Sequence, residues 1–209
     1  KNLRQNRKNK RFVYLISPNK IKNEKFYYKL NQALSSKKVS FFQLRLKKES
    51  FKNKIYIGKK IRKICKKYQV KFLINDDPII AKKLNADGCH LGQKDMNILK
   101  ARKILKNKII GITCHNSINL AKKAISSGAN YLAFGAFYSS KTKKTKYKAS
   151  LKILSLAKKL TNTPLVAIGG IKDTNYKKLL LNKANFLAIS SYIWNNKKLN
   201  PKEAINKLI

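Results

Sequence analysis

Residues Phe72 to Asp95 read FLINDDPIIAKKLNADGCHLGQKD and indicate the fold class most directly. Two short apolar runs flank a short helical pattern, and each run is followed by polar residues that include a carboxylate. Apolar strands that alternate with helices are typical of parallel sheets covered on both faces, and such sheets bind ligands beyond the carboxyl ends of their strands. The stretch therefore predicts a βαβ unit with Asp76 and Asp95 at its ligand-binding edge.

These carboxylates have two interpretations. The whole chain has only 8 Asp and Glu against 50 Lys and Arg, so a carboxylate after each of two successive strands calls for an explanation. Hard divalent cations such as Mg²⁺ prefer carboxylate oxygens. Alternatively, Asp76 or Asp77 caps the helix that starts near Pro78, and Asp95 caps the helix that starts near Asn97. We favour a metal site for the pair Asp76 and Asp95.

The same alternation extends over the whole chain. Hydrophobic periodicity and turn residues predict strands at 12–16, 39–47, 72–75, 88–91, 109–113, 131–137, 165–168 and 186–190. They predict helices at 22–36, 51–68, 78–85, 97–106, 117–127, 150–160, 174–182 and 201–208. We therefore expect a single-domain α/β fold, the (β/α)₈ TIM barrel, over residues 12–209 after a basic extension at 1–11. A doubly wound open sheet is the main alternative, but it usually has fewer strands.

Composition narrows the functional class. The chain has 209 residues, 43% of them hydrophobic, which is enough for one substantial core, and no apolar run approaches the roughly 20 residues of a membrane span. Cys65, Cys89 and Cys114 are too widely spaced for a disulfide framework or a zinc site, which favours a reducing cytoplasm. The net charge of +42 attracts polyanions, but the lysines are spread over every predicted helix. An anionic small substrate is compatible with this charge, and we expect no specific nucleic-acid or membrane partner.

The predicted strand 39–47 alternates between a polar and an apolar face. Its polar face carries Gln43, Arg45 and Lys47. Because the apolar face suits packing under helices, we expect the polar face to point into the barrel and toward its carboxyl-end rim. Buried cations need anionic partners, and no nearby carboxylate is obvious, so a phosphate-bearing ligand is the natural counter-charge. An edge strand with a solvated polar face is the alternative.

Later strand ends carry groups that suit phosphate. The polar loop 139–148 mixes hydroxyl and ammonium groups, which fits a diphosphate but is equally typical of a flexible surface loop. Gly169 and Gly170 would let backbone N–H groups approach a phosphate closely, and Ser190 and Ser191 could add two more. Phosphate sites of barrels commonly lie in the loops after strands 7 and 8.

The remaining bases and nucleophiles form no catalytic triad. His90 lies inside a predicted strand, where a structural or hydrogen-bonding role is expected, and His115 follows the next strand. Cys114 is expected to be a small buried residue.

In order and spacing, these segments resemble the thiamine phosphate synthase family over nearly the whole chain from Phe12. The matching segments are FQLRLK, FLINDD, ADGCHLGQKDM, IIGITCHN, GANYLAFGAFYSSKTKK, PLVAIGGI and LAISSYI. The resemblance implies a (β/α)₈ barrel and a Mg²⁺-dependent transferase. It would join hydroxymethylpyrimidine diphosphate to hydroxyethylthiazole phosphate, giving thiamine phosphate and pyrophosphate.

The resemblance also implies a role for each matching residue. The residues implied for the pyrimidine diphosphate are Gln43, Arg45, Lys47, Asn75, Thr113 and Lys143, of which Arg45, Lys47 and Lys143 would be catalytic. The residues implied for the thiazole phosphate are Ser140, Thr142, Gly170, Ser190 and Ser191. Asp76 and Asp95 would hold Mg²⁺.

The chain departs from the family pattern at several positions, among them Thr113, which stands where the family often has Ser and keeps the hydroxyl group. Leu46 stands where the family usually has Glu; it faces away from the polar face, so we expect little effect on catalysis. Ser140 and Ser190 replace the commoner Thr and Ile, which leaves backbone binding intact but could alter thiazole packing. Two alternatives remain, a thiazole tautomerase of the same fold and a non-enzymatic basic binding protein. The complete set of diphosphate and Mg²⁺ residues favours the synthase.

Overall fold

Eight parallel strands close into a barrel in chain order, with β8 paired to β1. The structure is a computed structural model that describes residues 11–139 and 146–208. The strands are β1 Val13–Ile16, β2 Val39–Leu44, β3 Lys71–Asn75, β4 Gly88–Leu91, β5 Ile109–His115, β6 Tyr131–Gly135, β7 Leu165–Ile168 and β8 Phe186–Ile189. The predicted TIM barrel is confirmed, and the ladder between β1 and β8 excludes the open sheet.

Helices cover the outside of the barrel between successive strands. Over the described part of the chain they are Lys25–Ser35, Phe51–Lys67, Pro78–Lys83, Ile98–Leu105, Ile118–Ser126, Leu151–Leu160, Lys177–Leu181, Ser191–Trp194 and Pro201–Asn206. The sequence pattern did not predict Ser191–Trp194, because four residues are too few to show a helical period. None of the helices in the described ranges is both long and apolar enough to cross a membrane.

Two helix ends follow the sequence signals closely. Gly128 has a φ of 83° just after the helix Ile118–Ser126, as expected of a glycine that terminates a helix. Asn200 caps the last helix, with Pro201 in its first turn, and forms a capping box with Glu203.

The two faces of β2 separate as its alternation predicts. Phe42, Leu44 and the following Leu46 are buried in the core between the barrel and the helices. Gln43 is buried on the opposite side, where its amide nitrogen donates a hydrogen bond to the Tyr14 hydroxyl at 2.7 Å inside the barrel. Because β2 pairs with both β1 and β3, the alternative of a solvated edge strand is excluded.

A second core, distinct from the one under the helices, fills the barrel interior. Its buried members are Tyr14, Ile16, Leu73, Tyr131, Ala133, Val166 and Ala188. Gly111 of β5 lies in register between His90 of β4 and Tyr131 of β6. A Cβ at position 111 would collide with the Tyr131 ring. Glycine at this position therefore lets the Tyr131 ring cross β5 and stack on His90, with 5.6 Å between ring centroids.

We expect Gly111→Ala to lower the free energy of unfolding by about 2–3 kcal/mol, because the added methyl group overpacks a rigid aromatic ring. Gly58→Ala is the matched control: the atoms nearest to its Cβ belong to the flexible Leu84 side chain, and alanine is more stable than glycine in a helix interior by about 0.5–1 kcal/mol. Urea unfolding followed by circular dichroism measures both variants. A Gly111→Ala variant as stable as the wild type would contradict this packing.

Candidate active site

The carboxyl ends of the eight strands form one rim, called here the mouth, and the described site residues predicted from the sequence are distributed along it. Arranged by strand, they are Gln43, Arg45 and Lys47 (β2), Asn75 and Asp76 (β3), Asp95 (β4), Thr113 (β5), Gly170 (β7), and Ser190 and Ser191 (β8). The predicted residues Ser140, Thr142 and Lys143 lie outside the described residues.

Asp76 is held at the mouth by its backbone. Its φ of 65° lies in the left-handed region, which aspartate tolerates better than most residues. Its N–H donates a hydrogen bond to the carbonyl of His90 at 2.7 Å, which ties the end of β3 to β4. Its carboxylate forms an ion pair with the Lys47 ammonium at 3.1 Å. The expectation that no carboxylate lies near the polar face of residues 39–47 is therefore wrong.

Strand β2 ends at Leu44, earlier than predicted, so Arg45 and Lys47 lie beyond the strand. The Lys47 side chain is 53% exposed and is therefore not the buried cation that the alternation predicted. The Arg45 guanidinium donates a hydrogen bond to the side-chain oxygen of Asn19 at 3.1 Å. Because a guanidinium has five N–H donors, this bond leaves Arg45 able to bind an anion as well.

The Asp95 carboxylate turns back toward the end of β4. Its Oδ2 accepts a hydrogen bond from the Gly92 N–H at 2.6 Å. Its carboxyl group also comes within hydrogen-bonding reach of Asp76, so the structure brings together the two carboxylates selected from the sequence. Burial and the neighbouring Asp76 raise the pKa of the Asp95 carboxyl above its ordinary value. Two carboxylates in contact repel each other, and a divalent cation between them would relieve that repulsion, so the donor set fits Mg²⁺.

Helix capping explains Asp77 and not the other two carboxylates. Asp77 accepts hydrogen bonds from two N–H groups in the first turn of the helix Pro78–Lys83, each at 2.9 Å. Asn97 caps the helix Ile98–Leu105 with its own side chain. The alternative that Asp95 caps this helix is therefore wrong.

The Gly169–Gly170 turn makes room for the loop that follows β6. Both residues have positive φ, 108° and 61°. A Cβ at Gly170 would meet the carbonyl oxygens of Tyr138 and Ser139, and one at Gly169 would meet Ala136. The packing of two loops thus already requires both glycines, whether or not a phosphate binds there.

Ser190 and Ser191 start the short helix that follows β8. Ser190 is its N-cap residue, and the Ser190 hydroxyl donates a hydrogen bond to the Ser17 carbonyl at 3.2 Å. At the start of a helix the first backbone N–H groups have no partner within the helix. Both serines lie at the mouth, directly after β8.

A chain of hydrogen bonds crosses the barrel interior from β2 to β5. The Gln43 amide nitrogen donates to the Tyr14 hydroxyl at 2.7 Å, and the Tyr14 and Tyr131 hydroxyls are 2.7 Å apart. The Tyr131 hydroxyl lies 2.8 Å from His90 Nδ1, and His90 Nε2 lies 2.8 Å from the Thr113 hydroxyl. Removal from water lowers the pKa of His90 to about 4, so its imidazole is neutral at neutral pH.

This hydrogen-bonding role of His90 agrees with the expectation from the sequence. Tyr14 and Tyr131 were not predicted as site residues, because an aromatic residue in an apolar strand pattern is ordinarily core. No sequence signal showed that their hydroxyls meet.

Cys114, the candidate nucleophile, and His115, the second histidine, both pack against other residues of the fold. Cys114 is fully buried, as expected, and burial raises the pKa of its thiol to about 12, which rules it out as a thiolate nucleophile at neutral pH. His115 ends β5 and stacks on Tyr147, with 3.8 Å between ring centroids.

A pocket of about 220 Å³ opens beside the ion pair of Lys47 and Asp76. Its polar lining consists of Lys47, Lys54, Asn75, Asp76 and Asp77. Lys54, on the helix Phe51–Lys67, was not predicted, because nothing in the sequence distinguishes it from the many other lysines of that helix. The pocket offers cationic and amide donors next to the paired carboxylates.

A family model and two sequence relatives carry the same description. The family model described as thiamine monophosphate synthase matches residues 13–193. A thiamine-phosphate synthase of Pelagibacter ubique is 74% identical over 206 residues, covering 99% of this chain and 100% of the relative. A thiamine-phosphate synthase of Clostridium acetobutylicum is 36% identical over 194 residues, covering 92% of each chain.

Among solved structures, the fold is shared by a thiamine phosphate pyrophosphorylase and by enzymes of other activities. A thiamine phosphate pyrophosphorylase from Pyrococcus furiosus superposes with a TM-score of 0.84 at 28% identity, covering 96% of this chain and 94% of that one. A 3-hexulose-6-phosphate synthase, at 15% identity and a TM-score of 0.66, shares the fold alone.

The adjacent Asp76 and Asp77 should differ in their effect on stability. We expect Asp77→Ala to lower the free energy of unfolding by about 1 kcal/mol, because two helix N–H groups lose their acceptor. Asp76→Asn should leave it unchanged or raise it, because the substitution removes repulsion with Asp95, asparagine tolerates positive φ, and an exposed ion pair contributes little. Urea unfolding at neutral pH compares both variants with the wild type. A larger loss from Asp76→Asn than from Asp77→Ala would contradict these assignments.

Proposed function

The chain belongs to the thiamine monophosphate synthase family, and from this premise we propose that it joins hydroxymethylpyrimidine diphosphate to hydroxyethylthiazole phosphate with Mg²⁺ bound. It is a transferase, a thiamine-phosphate synthase, which sets aside the alternative of a non-enzymatic binding protein. The substrates, the metal ion and the residue roles are the proposal. The main observation in support of this proposal is the contact between Asp76 and Asp95 at the mouth, with the Lys47 ammonium 3.1 Å from Asp76.

The diphosphate would bind across the mouth between β2 and β5. Arg45 and Lys47 provide cationic donors, and Asn75 and Thr113 provide an amide and a hydroxyl group. Diphosphate oxygens are strong acceptors that carry negative charge, so this mixture of donors suits them. The family resemblance adds Lys143, which lies outside the described residues, as a third cation.

Asp76 and Asp95 would hold the Mg²⁺ ion through their carboxylate oxygens. When bound, the ion supplies positive charge that stabilises the departing pyrophosphate. Within the described ranges no group of three or more His, Cys, Asp or Glu forms a metal site. This agrees with Mg²⁺, which is usually bound by one or two carboxylates while substrate phosphates and water complete its shell.

The proposed reaction exchanges one bond at the methylene carbon of the pyrimidine. The carbon–oxygen bond to the diphosphate breaks, and pyrophosphate leaves with the electron pair. The electron-rich aminopyrimidine stabilises the resulting positive charge, and the thiazole nitrogen donates its lone pair to form the new carbon–nitrogen bond. Arg45, Lys47 and Lys143 would stabilise the negative charge that develops on the leaving group. The reaction needs no side-chain nucleophile, in agreement with the buried Cys114 thiol.

The thiazole phosphate would bind on the opposite part of the mouth. Gly170, Ser190 and Ser191 lie after β7 and β8, where barrels commonly bind phosphate through backbone N–H groups. The family resemblance adds Ser140 and Thr142, both outside the described residues.

We also propose that the protein works in the cytoplasm. All three cysteines are free and buried, which is typical of chains that fold in a reducing compartment.

Release of pyrophosphate tests the proposed function. The protein is mixed with the pyrimidine diphosphate, the thiazole phosphate and Mg²⁺, and each component is omitted in turn. We expect pyrophosphate and thiamine phosphate only when all three are present.

Asp76→Asn should lower kcat/KM by about 100-fold or more, because it weakens the stabilisation of the leaving group. Asp77→Asn is the matched control, since it removes an adjacent charge but keeps a capping side chain, and it should retain activity.

Turnover without a divalent cation, or an Asp76→Asn variant as active as the wild type, would contradict the assigned metal site. Isomerisation of a carboxylated thiazole phosphate without pyrophosphate release would instead indicate the tautomerase.

A further inference from the structure

The hydrogen-bond chain inside the barrel has a direction. An amide nitrogen only donates, so the Tyr14 hydroxyl accepts from Gln43 and keeps its own hydrogen for its other neighbour, the Tyr131 hydroxyl at 2.7 Å. Tyr131 then accepts from Tyr14 and donates its own hydrogen to His90 Nδ1, 2.8 Å away. In a neutral imidazole one nitrogen accepts and the other donates, so the proton of His90 lies on Nε2.

The direction continues to the mouth. His90 Nε2–H donates to the Thr113 hydroxyl at 2.8 Å, so Thr113 accepts inside the barrel and keeps its own hydrogen for another acceptor. With Gln43 in this orientation, any other proton arrangement leaves at least one buried hydroxyl hydrogen without an acceptor, at a cost of about 1–3 kcal/mol. The positions of the heavy atoms therefore determine which group Thr113 presents to the mouth.

Packing holds the side chains of Tyr14 and Tyr131, the two central residues of this series of hydrogen bonds, in place. Both side chains are almost completely buried, Tyr14 with 1% and Tyr131 with 3% exposure, so each hydroxyl needs a partner within the protein. Their rings meet edge to face at 5.7 Å, and Tyr14 also stacks on Phe41 at 5.4 Å. Gly111 leaves the space into which the Tyr131 ring fits. The hydroxyls are thus held in place by ring contacts that do not depend on a ligand.

We propose that Tyr14 and Tyr131 are positioning residues that hold His90 in its Nε2–H tautomer and thereby direct the Thr113 hydroxyl hydrogen toward the diphosphate. The Gln43 amide sets the direction of the hydrogen bonds, and the two tyrosines act through His90 and Thr113. The part that concerns the diphosphate rests on the proposed function, whereas the tautomer of His90 is a property of the protein alone.

If every hydrogen bond from Gln43 to Thr113 were reversed, the Thr113 hydroxyl hydrogen would no longer be available at the mouth. If the Gln43 amide were turned over, its oxygen would accept from Tyr14, every bond in the chain would reverse, and the Thr113 hydrogen would be used on His90 Nε2. The proton of His90 would then lie on Nδ1. Because diphosphate oxygens only accept hydrogen bonds, the direction in the structure is the one that leaves Thr113 a donor for the diphosphate.

Nuclear magnetic resonance of protein labelled with ¹⁵N-histidine reads this tautomer at neutral pH. The chain has only 2 histidines, and the variant His115→Asn assigns the His90 signals, since asparagine tolerates the φ of 52° at position 115. We expect a proton on Nε2 and none on Nδ1 in the wild type. In Tyr131→Phe, which removes the donor to Nδ1, this preference should be lost. A proton on Nδ1 in the wild type, or unchanged His90 signals in Tyr131→Phe, would overturn the proposal.

Kinetics test the consequence for the reaction. Tyr131→Phe and Tyr14→Phe should lower kcat/KM for the pyrimidine diphosphate by about 10- to 100-fold, which is typical for loss of a residue that orients a site group. Tyr28→Phe is the control, because Tyr28 is 66% exposed on an outer helix, and it should retain full activity. Full activity of Tyr131→Phe would overturn the positioning role. If the wild type forms no thiamine phosphate, the proposed function fails, while the His90 signals still decide the tautomer.

Discussion

Closure of the barrel by the pairing of β1 with β8 is the constraint on which the other features depend. It places the carboxyl ends of all eight strands on one rim, so Lys47, Asp76 and Asp95 meet although they lie in three different strand-end segments. Closure also limits the space inside. The Tyr131 ring fits only because Gly111 has no side chain, and inside the barrel the Tyr131 hydroxyl lies 2.7 Å from that of Tyr14. The series of hydrogen bonds from Gln43 to Thr113 and the pairing of Asp76 with Asp95 thus both result from closure of the barrel.

The three carboxylates Asp76, Asp77 and Asp95 differ in what they contribute to the stability of the fold. Asp77 caps a helix and stabilises the fold. Asp76 and Asp95 face each other instead, and the pKa of Asp95 is raised by burial and by this neighbour. Lys47 compensates only in part, since an ion pair with a 53% exposed lysine contributes little. We propose that a cationic ligand accounts for this pair of like charges, because folding alone gives no reason to hold them together.

The sequence predicted the barrel well because its strands are short and clearly bounded. The limits of β4, Gly88–Leu91, and β7, Leu165–Ile168, were predicted to the residue, since turn residues flank both runs. The end of β2 was placed too late, because polar and apolar residues keep alternating after Leu44 although the hydrogen-bond ladder stops there. Periodicity reports which face a residue lies on and not where pairing ends.

The sequence alone could not predict contacts between segments that lie far apart along the chain. The ion pair of Lys47 and Asp76 and the meeting of the Tyr14 and Tyr131 hydroxyls arise only when the barrel closes. The family resemblance supplied candidate roles for single residues, but the arrangement that relates Gln43 to Thr113 required the structure.

We propose that Asp76 and Asp95 together hold a divalent cation that also binds diphosphate. Calorimetric titration with the complex of Mn²⁺ and pyrophosphate tests it most directly, because it needs no turnover. We expect the wild type and Asp77→Asn to bind the complex alike, and Asp76→Asn and Asp95→Asn to bind it at least about tenfold more weakly. Equal binding by all four proteins would contradict the claim.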